Sequence, residues 1–113
     1  MEEQGSREGT GLAPSHREFL DVDPRTLHLP PTRIQGADPF KFARQMAKYG
    51  SSTNGMPPLL VIRGKGGALQ LVDGVTRACR VAELLPGQTV TVEVIEEQPN
   101  RDLSIYPVGD VVP

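Results

Sequence analysis

Residues 71–80 read LVDGVTRACR and join a strand to a helix through one glycine. The apolar run up to Val72 predicts a strand, and Gly74 supplies the turn, because glycine adopts backbone conformations that a Cβ disfavours. Beyond the turn, apolar residues recur at helical spacing. The face of this helix consists of Val75, Ala78, Ala82 and Leu85, with Val81 and Leu84 at its edge. The stretch therefore predicts a strand, a tight turn and a helix in direct succession.

The neighbouring segments predict a β-hairpin before this junction and a strand after it. Residues 59–62 (LLVI) form a short apolar run typical of a buried strand, and residues 64–67 (GKGG) have the composition of a turn. Residues 69–72 (LQLV) then form the returning strand. Pro86 and Gly87 end the helix, and residues 89–94 (TVTVEV) alternate strictly between polar and apolar, which indicates another strand.

A second helix is predicted from Asp38 and Pro39, because aspartate at the N-cap and proline at the first helical position are strong start signals. Gly50 is suited to end it in a left-handed conformation. The face expected to pack on the core consists of Phe40, Ala43, Met46 and Ala47. We assign Phe40 and Phe42 to the core and the helix edge, not to a surface for stacking bases.

The order of elements predicts a compact α+β domain with a small mixed β-sheet and packed helices. The 113 residues, of which 37% are hydrophobic, fit one domain. This domain is expected to cover residues 18–97 and to begin with a strand at residues 18–22. Residues 1–17 are polar and are predicted to be a disordered arm. Residues 98–113 are predicted to be an irregular tail that packs back on the domain.

Composition excludes several classes of protein. The net charge of −2 excludes a globally basic nucleic-acid binder, although a local basic site remains compatible with it. One cysteine excludes a disulfide framework and a cysteine-based zinc site. No stretch approaches the roughly 18 apolar residues of a membrane span, and the N-terminus has no apolar leader. We therefore expect no membrane partner and, by default, a cytoplasmic location.

The junction at Gly74 has the features of an anion-binding site. The first turn of a helix carries backbone N–H groups without partners and a partial positive charge. Gly74 lets an anion approach the N–H groups near Val75, Thr76 adds a hydroxyl, and Arg77 adds a planar guanidinium suited to phosphate. The purely structural alternative is that Asp73 is an N-cap, Gly74 a turn residue and Arg77 a solvated side chain. The residues alone leave both interpretations open.

The chain from about residue 19 to residue 96 resembles the ParB/sulfiredoxin-like fold family. The resemblance consists of a leading strand, a basic residue at Arg33, a helix, the stretch GMPPLLV (residues 55–61), a hairpin, VDGVTR (residues 72–77) and a closing strand. It implies a ParB/sulfiredoxin-like domain over about two-thirds of the sequence.

The branches of this family imply different activities. Sulfiredoxins carry a catalytic cysteine and a histidine where this chain has Val75 and Thr76, so that activity is not expected. Chromosome-partitioning proteins bind nucleotide triphosphates with a G-x-x-R-R motif. This chain matches its glycine with Gly74 and its first arginine with Arg77. No helix-turn-helix pattern follows, so sequence-specific DNA reading is not expected. The D-G-x-T-R pattern is most similar to ParB-like domains described as nucleases, some of which are secreted toxin domains, and this would imply export.

The resemblance assigns roles to six residues and leaves three functions open. Gly74, Val75, Thr76, Arg77 and Arg33 would bind the phosphate of a nucleotide or nucleic acid, and Asp73 and Arg77 would be catalytic. One carboxylate is a weak basis for a metal site, so no metal ligand is assigned, although hydrolysis would imply Mg²⁺. The alternatives to a hydrolase are a non-catalytic nucleotide-binding or protein-interaction module and a scaffold with a vestigial site.

Two sets of charged side chains are also placed on the predicted surface. Arg63 and Arg80 either extend a basic rim around the anion site or are ordinary charged residues on exposed faces. Glu93, Glu96 and Glu97 are expected to form an acidic edge that prevents pairing of the last strand with another chain. Cys79 is expected to be a small buried residue and not a nucleophile.

Overall fold

A computed structural model describes residues 17–33, 38–49 and 55–112. Its strands are β1 (Glu18–Val22), β2 (Leu59–Arg63), β3 (Leu69–Asp73) and β4 (Val90–Glu97). Its α-helices are α1 (Pro39–Tyr49) and α2 (Val75–Leu84), and short 3₁₀ turns cover Pro24–Thr26, Pro31–Arg33, Lys65–Gly67 and Val108–Asp110. The order of strands and helices agrees with the prediction. Most of the predicted N-terminal arm and the predicted helix end at Gly50 lie outside the described residues.

The four strands form one mixed sheet in the order β1-β4-β2-β3. β2 pairs with β3 as an antiparallel hairpin and with β4 in parallel, and β1 pairs with β4 antiparallel. α2 connects β3 to β4 and packs on one face of the sheet, where alternate side chains of the strands are buried. The predicted α+β class with a small mixed sheet is confirmed. No helix in the described ranges has both the length and the apolar character needed to cross a membrane.

The segment around His28 covers the outer edge of β3. The His28 N–H donates to the Leu69 carbonyl oxygen at 2.9 Å, and the Leu71 N–H donates to the His28 carbonyl oxygen at 2.9 Å. Leu27 and Leu29 on either side of His28 are fully buried. These hydrogen bonds hold β3 against the segment that precedes α1. The candidate site lies beside them, where β3 ends.

The predicted core face of α1 is wrong. Phe40 is 79% exposed and Met46 is 36% exposed, and Ala43 and Ala47 are exposed as well. Among the α1 side chains that the structure describes, Phe42 packs against the core. Residues two apart on a helix project roughly 200° apart, so Phe40 and Phe42 cannot both face the core. The start of α1 agrees with the prediction, because Asp38 Oδ1 accepts hydrogen bonds from the N–H groups of Phe40 and Lys41.

The predicted acidic edge is also wrong, because β4 lies inside the sheet between β1 and β2. Two of its glutamates pair with arginines on or next to the neighbouring strands β1 and β2, and Glu96 accepts a hydrogen bond from Gln98. Arg17 Nε lies 3.0 Å from Glu93 Oε2, and Arg63 Nη2 lies 2.9 Å from Glu97 Oε2. Arg63 Nη1 also lies 2.7 Å from Glu18 Oε2. Arg63 therefore belongs to an ion-pair cluster at the hairpin end of β2. This end is opposite to the end at which β3 meets α2, so Arg63 is not part of a basic rim around the anion site.

This cluster predicts an acid-dependent contribution to stability. The hydrogen bond from Arg63 lowers the pKa of Glu97 from its ordinary value of 4.5. Because the folded-state pKa is lowered, the pair stabilises the protein above that ordinary value and the contribution disappears as the pH falls through the lowered pKa. Between about pH 6 and pH 3 the free energy of unfolding should fall in both proteins. We expect the fall to be smaller in Glu97→Gln than in the wild type by roughly 0.5–1 kcal/mol, a small difference because the pair is partly exposed.

Urea unfolding at each pH, followed by circular dichroism, measures this difference. Asp110→Asn, which removes an exposed carboxylate in the 3₁₀ turn at Val108–Asp110, outside this cluster, is the matched control. Parallel stability curves for the wild type and Glu97→Gln across this pH range would contradict the assignment.

The C-terminal tail contributes two side chains to the interior. Leu103 is 2% exposed and Val108 is fully buried. The Leu29 N–H donates to the Tyr106 carbonyl oxygen at 2.8 Å, and the Val108 N–H donates to the Leu27 carbonyl oxygen at 2.8 Å. The side chains of Ile105 and Tyr106, in the same tail, are about half exposed, because the tail attaches here through its backbone.

Candidate functional site

A cavity of about 650 Å³ lies where β3 ends and α2 begins. Three parts of the chain surround it: the 3₁₀ turn before α1, one side of α1, and the strand-to-helix junction. Its lining comprises Pro30, Thr32, Arg33, Lys41, Arg44 and every residue from Gln70 to Arg77. All six residues that the sequence assigned to the site therefore line one cavity, with Arg33 contributed from the far segment.

The junction is built around Gly74. Its φ of 100° and ψ of 20° lie in the left-handed region, which glycine adopts without penalty. Gly74 is also the N-cap of α2, and its carbonyl oxygen accepts from the Ala78 N–H at 2.8 Å. The alternative in which Asp73 caps α2 is wrong, since the N-cap residue is Gly74 and no side chain caps the helix. α2 consequently begins at the cavity, and the N–H groups of its first turn have no partner within the helix.

Arg77 is held in place by two hydrogen bonds. Its Nη1 donates to the Pro57 carbonyl oxygen at 3.0 Å, and its Nη2 donates to Asp73 Oδ2 at 3.2 Å. The Arg77 side chain is 14% exposed, whereas that of Asp73 is 66% exposed. The interpretation of Arg77 as a freely solvated side chain is therefore wrong. Asp73 orients the guanidinium over the Gly74 turn, and a planar group fixed in this way retains further N–H donors for a ligand.

Two basic residues that the sequence did not assign to the site also line the cavity. Lys41 and Arg44 lie on α1 and are exposed. With Arg33 and Arg77 they bring four basic side chains to a cavity whose one acidic lining residue is Asp73. The available signal was that α1 carries three basic residues and no acidic one, but its direction relative to β3 was not readable from the sequence. A local basic site thus exists on a chain with a net charge of −2.

The predicted contribution of Arg80 to this basic rim is wrong, because Arg80 is fully buried. Its Nη2 lies 3.5 Å from the sulfur of Met56. Cys79 is 3% exposed, which confirms its assignment as a small buried residue.

The groups available for acid–base or metal chemistry at the cavity are few. Asp73 is the one carboxylate among the lining residues, and it is already hydrogen-bonded to Arg77. His28 lies outside the lining, with its Nδ1 at 3.1 Å from the Ile105 carbonyl oxygen. Within the described ranges, no three His, Cys, Asp or Glu side chains are grouped as metal ligands. These residues do not fit a Mg²⁺ site formed by the protein, since one ion-paired carboxylate offers few ligands.

Comparison with known proteins gives no match: no family model fits the chain, and no curated protein and no solved structure is significantly similar to it. The resemblance to ParB/sulfiredoxin-like domains therefore stays a prediction that rests on the order of elements and on the sequence motifs at residues 55–61 and 72–77.

Proposed function

We propose that this domain, ParB/sulfiredoxin-like in character, binds the phosphate of a nucleotide or nucleic acid at the start of α2. The observation that supports the proposal is that four basic side chains line the cavity at which α2 begins. Each element contributes electrostatically in the same direction, because a helix N-terminus and cationic side chains both favour an anion. The net formal charge of the lining, four basic residues against one acidic residue, is +3.

The fixed position of Arg77 makes this site suited to phosphate in particular. A guanidinium recognises phosphate through parallel N–H donors, and this geometry is most effective when the group is already oriented. The hydrogen bonds to Pro57 and Asp73 provide that orientation before any ligand arrives. A preordered donor loses less conformational entropy on binding.

The same geometry favours binding without turnover. Hydrolysis of a phosphodiester needs a group that activates water, and metal-assisted hydrolysis uses two or more metal ligands. Asp73 is the one lining residue that offers a carboxylate, and its hydrogen bond with Arg77 gives it the role of orienting the guanidinium. A non-catalytic nucleotide-binding module is thus preferred to a nuclease or a triphosphatase.

Calorimetric titration with ATP, CTP and a short single-stranded oligonucleotide, each with and without Mg²⁺, tests the proposal. We expect Arg44→Gln and Arg77→Gln each to weaken binding roughly tenfold or more, because each removes a charged contact to phosphate. Lys65→Gln removes a cation from the exposed turn between β2 and β3, at the opposite end of the sheet, and should leave the affinity unchanged.

Two results would overturn the proposal in different ways. Binding that is insensitive to both arginine variants, or no binding to any of these ligands, would remove the anion site. Release of inorganic phosphate, or cleavage of the oligonucleotide, that disappears in Asp73→Asn would replace the binding module with a hydrolase.

A further inference from the structure

Phe40 is the most exposed large apolar side chain among the described residues, at 79%. Its position is nevertheless well defined, because it lies in the first turn of α1. The Phe40 N–H donates to Asp38 Oδ1 at 2.8 Å, and the Phe42 N–H donates to the Asp38 carbonyl oxygen at 2.8 Å. Phe42 then attaches the helix to the core. An aromatic ring is thus presented to solvent on a capped helix and not on a loose loop.

The surroundings of Phe40 are cationic. Arg44 follows one helical turn later and is a direct neighbour on the helix surface, with Cβ atoms about 6 Å apart in such pairs. Lys41 is the next residue along the chain, and both Lys41 and Arg44 line the cavity. Lys48 continues the basic row one further turn, and the sequence of α1 contains no acidic residue. Phe40 therefore lies beside the basic wall of the cavity, at the start of a row of cations that extends past it.

We propose that Phe40 stacks an unpaired base of single-stranded DNA or RNA whose phosphates are bound by Lys41, Arg44 and the start of α2. The inference rests on the proposed function and narrows its ligand to a single strand. An aromatic side chain beside a basic groove is the usual means of binding single strands without regard to sequence, because every base has a π-face.

Other ligands fit these observations less well. In a duplex the bases are stacked on one another and do not offer a face to an aromatic ring. A free mononucleotide carries its phosphates on one sugar, whereas the basic residues of α1 are spread over two helical turns. An anionic membrane surface would match the charge of α1, but interfacial helices bury a broad apolar face. Among the α1 side chains whose exposure the structure describes, the exposed apolar ones besides Phe40 are Pro39, Met46, at 36%, and two alanines.

Phe19 provides a matched control for Phe40. It is also an exposed phenylalanine, at 45%, but it lies on β1, at the sheet edge opposite β3. The guanidinium of Arg17 lies 5.0 Å from the centre of its ring and occupies that face. Truncating Phe19 removes the same side chain from a position away from the cavity.

Fluorescence anisotropy with labelled oligothymidylate and oligouridylate of about 12 nucleotides, a length within the range of single-strand sites, tests the inference. We expect Phe40→Ala to weaken binding roughly 5- to 150-fold, the range found when a stacking aromatic is removed. Phe19→Ala should bind as the wild type does. The two oligonucleotides distinguish DNA from RNA as the source of the strand. An abasic DNA oligomer of the same length retains the phosphates, and its weaker binding should not change in Phe40→Ala.

A spectroscopic measurement gives a second and independent readout. The chain contains no tryptophan, so Phe40→Trp introduces a single indole at this position. We expect this variant to bind oligothymidylate at least as tightly as the wild type and its emission to be quenched on binding. The abasic oligomer should bind without quenching.

Several outcomes would overturn the inference. One is an oligothymidylate affinity that is the same in Phe40→Ala and the wild type, and another is an equal loss of affinity for the abasic oligomer. If CTP binds as tightly as the oligomer, the ligand is a mononucleotide. If Phe40→Ala loses binding to phosphatidylserine vesicles but keeps binding to the oligomer, the ligand is a membrane surface. If CTP binding still depends on Arg44 in these cases, the proposed phosphate site stands and only the stacking role falls.

Discussion

Arg80→Ala is expected to lower the free energy of unfolding by about 3–5 kcal/mol. The Arg80 side chain is fully buried, and its Nη2 lies 3.5 Å from the sulfur of Met56. Truncation removes most of a large interior side chain, leaves a cavity in the region between α2 and the chain before β2, and deprives the surrounding groups of their contacts with the guanidinium. Urea unfolding followed by circular dichroism measures the change.

Two further variants separate the effect of volume from the effect of charge. Arg80→Met retains an unbranched side chain of comparable length, so it should recover part of the loss if packing dominates. Arg101→Ala removes an exposed arginine beside the turn between β2 and β3 and should stay within about 0.5 kcal/mol of the wild type. A loss in Arg80→Ala no larger than that in Arg101→Ala would show that the guanidinium is solvated.

The burial of Arg80 could not be predicted from helical periodicity. On α2 it projects roughly 140° away from Val75, which belongs to the apolar face, so the pattern assigns it to solvent. α2 also contacts α1 and the 3₁₀ turn at Pro24–Thr26, and the sequence of α2 alone does not reveal these neighbours. Arg25 Nη2, for example, donates to the Ala82 carbonyl oxygen at 2.9 Å. Tertiary cover of this kind is absent from any single-segment pattern.

The parts of the fold that were predictable are those in which local signals agree. Alternation in β4 buries Val90, Val92 and Val94, and the hairpin of β2 and β3 follows from two apolar runs separated by glycines. The junction at Gly74 was predictable for the same reason, since a strand end, a glycine and a helical pattern follow one another directly. These signals depend on neighbours in sequence and need no knowledge of the rest of the chain.

The candidate site was predictable only in the part that is local in sequence. Residues 73–77 were found from their motif, and Arg33 from the resemblance, whereas Lys41 and Arg44 were not assigned. Their contribution depends on which way α1 faces, and that direction is set by the packing of Phe42 in place of Phe40. A helix with aromatic residues on two sides has two plausible orientations, and the choice determines whether its basic residues reach the cavity.

Gly74→Ala is expected to lower the free energy of unfolding by about 2–4 kcal/mol, because it combines backbone strain with a collision. The φ of 100° is unfavourable for any residue with a side chain. A Cβ at this position would also lie 2.5 Å from Cδ2 of Leu59, whose side chain is fully buried in the core and has little room to move. Urea unfolding measures the total cost.

Gly87→Ala isolates the backbone part of that cost. Gly87 has a similar φ of 88°, and a Cβ there would meet nothing within 4 Å, so we expect a loss of only about 1 kcal/mol. Equal losses at the two positions would mean that Leu59 yields to the new methyl group.

The methyl group of Gly74→Ala would also lie 3.2 Å from Nη2 of Arg77 and would displace the guanidinium that the proposed site requires. Among molecules that remain folded, Gly74→Ala should therefore bind phosphate ligands more weakly, whereas Gly87→Ala should bind them normally, which ties the one left-handed glycine at the junction to both stability and ligand binding.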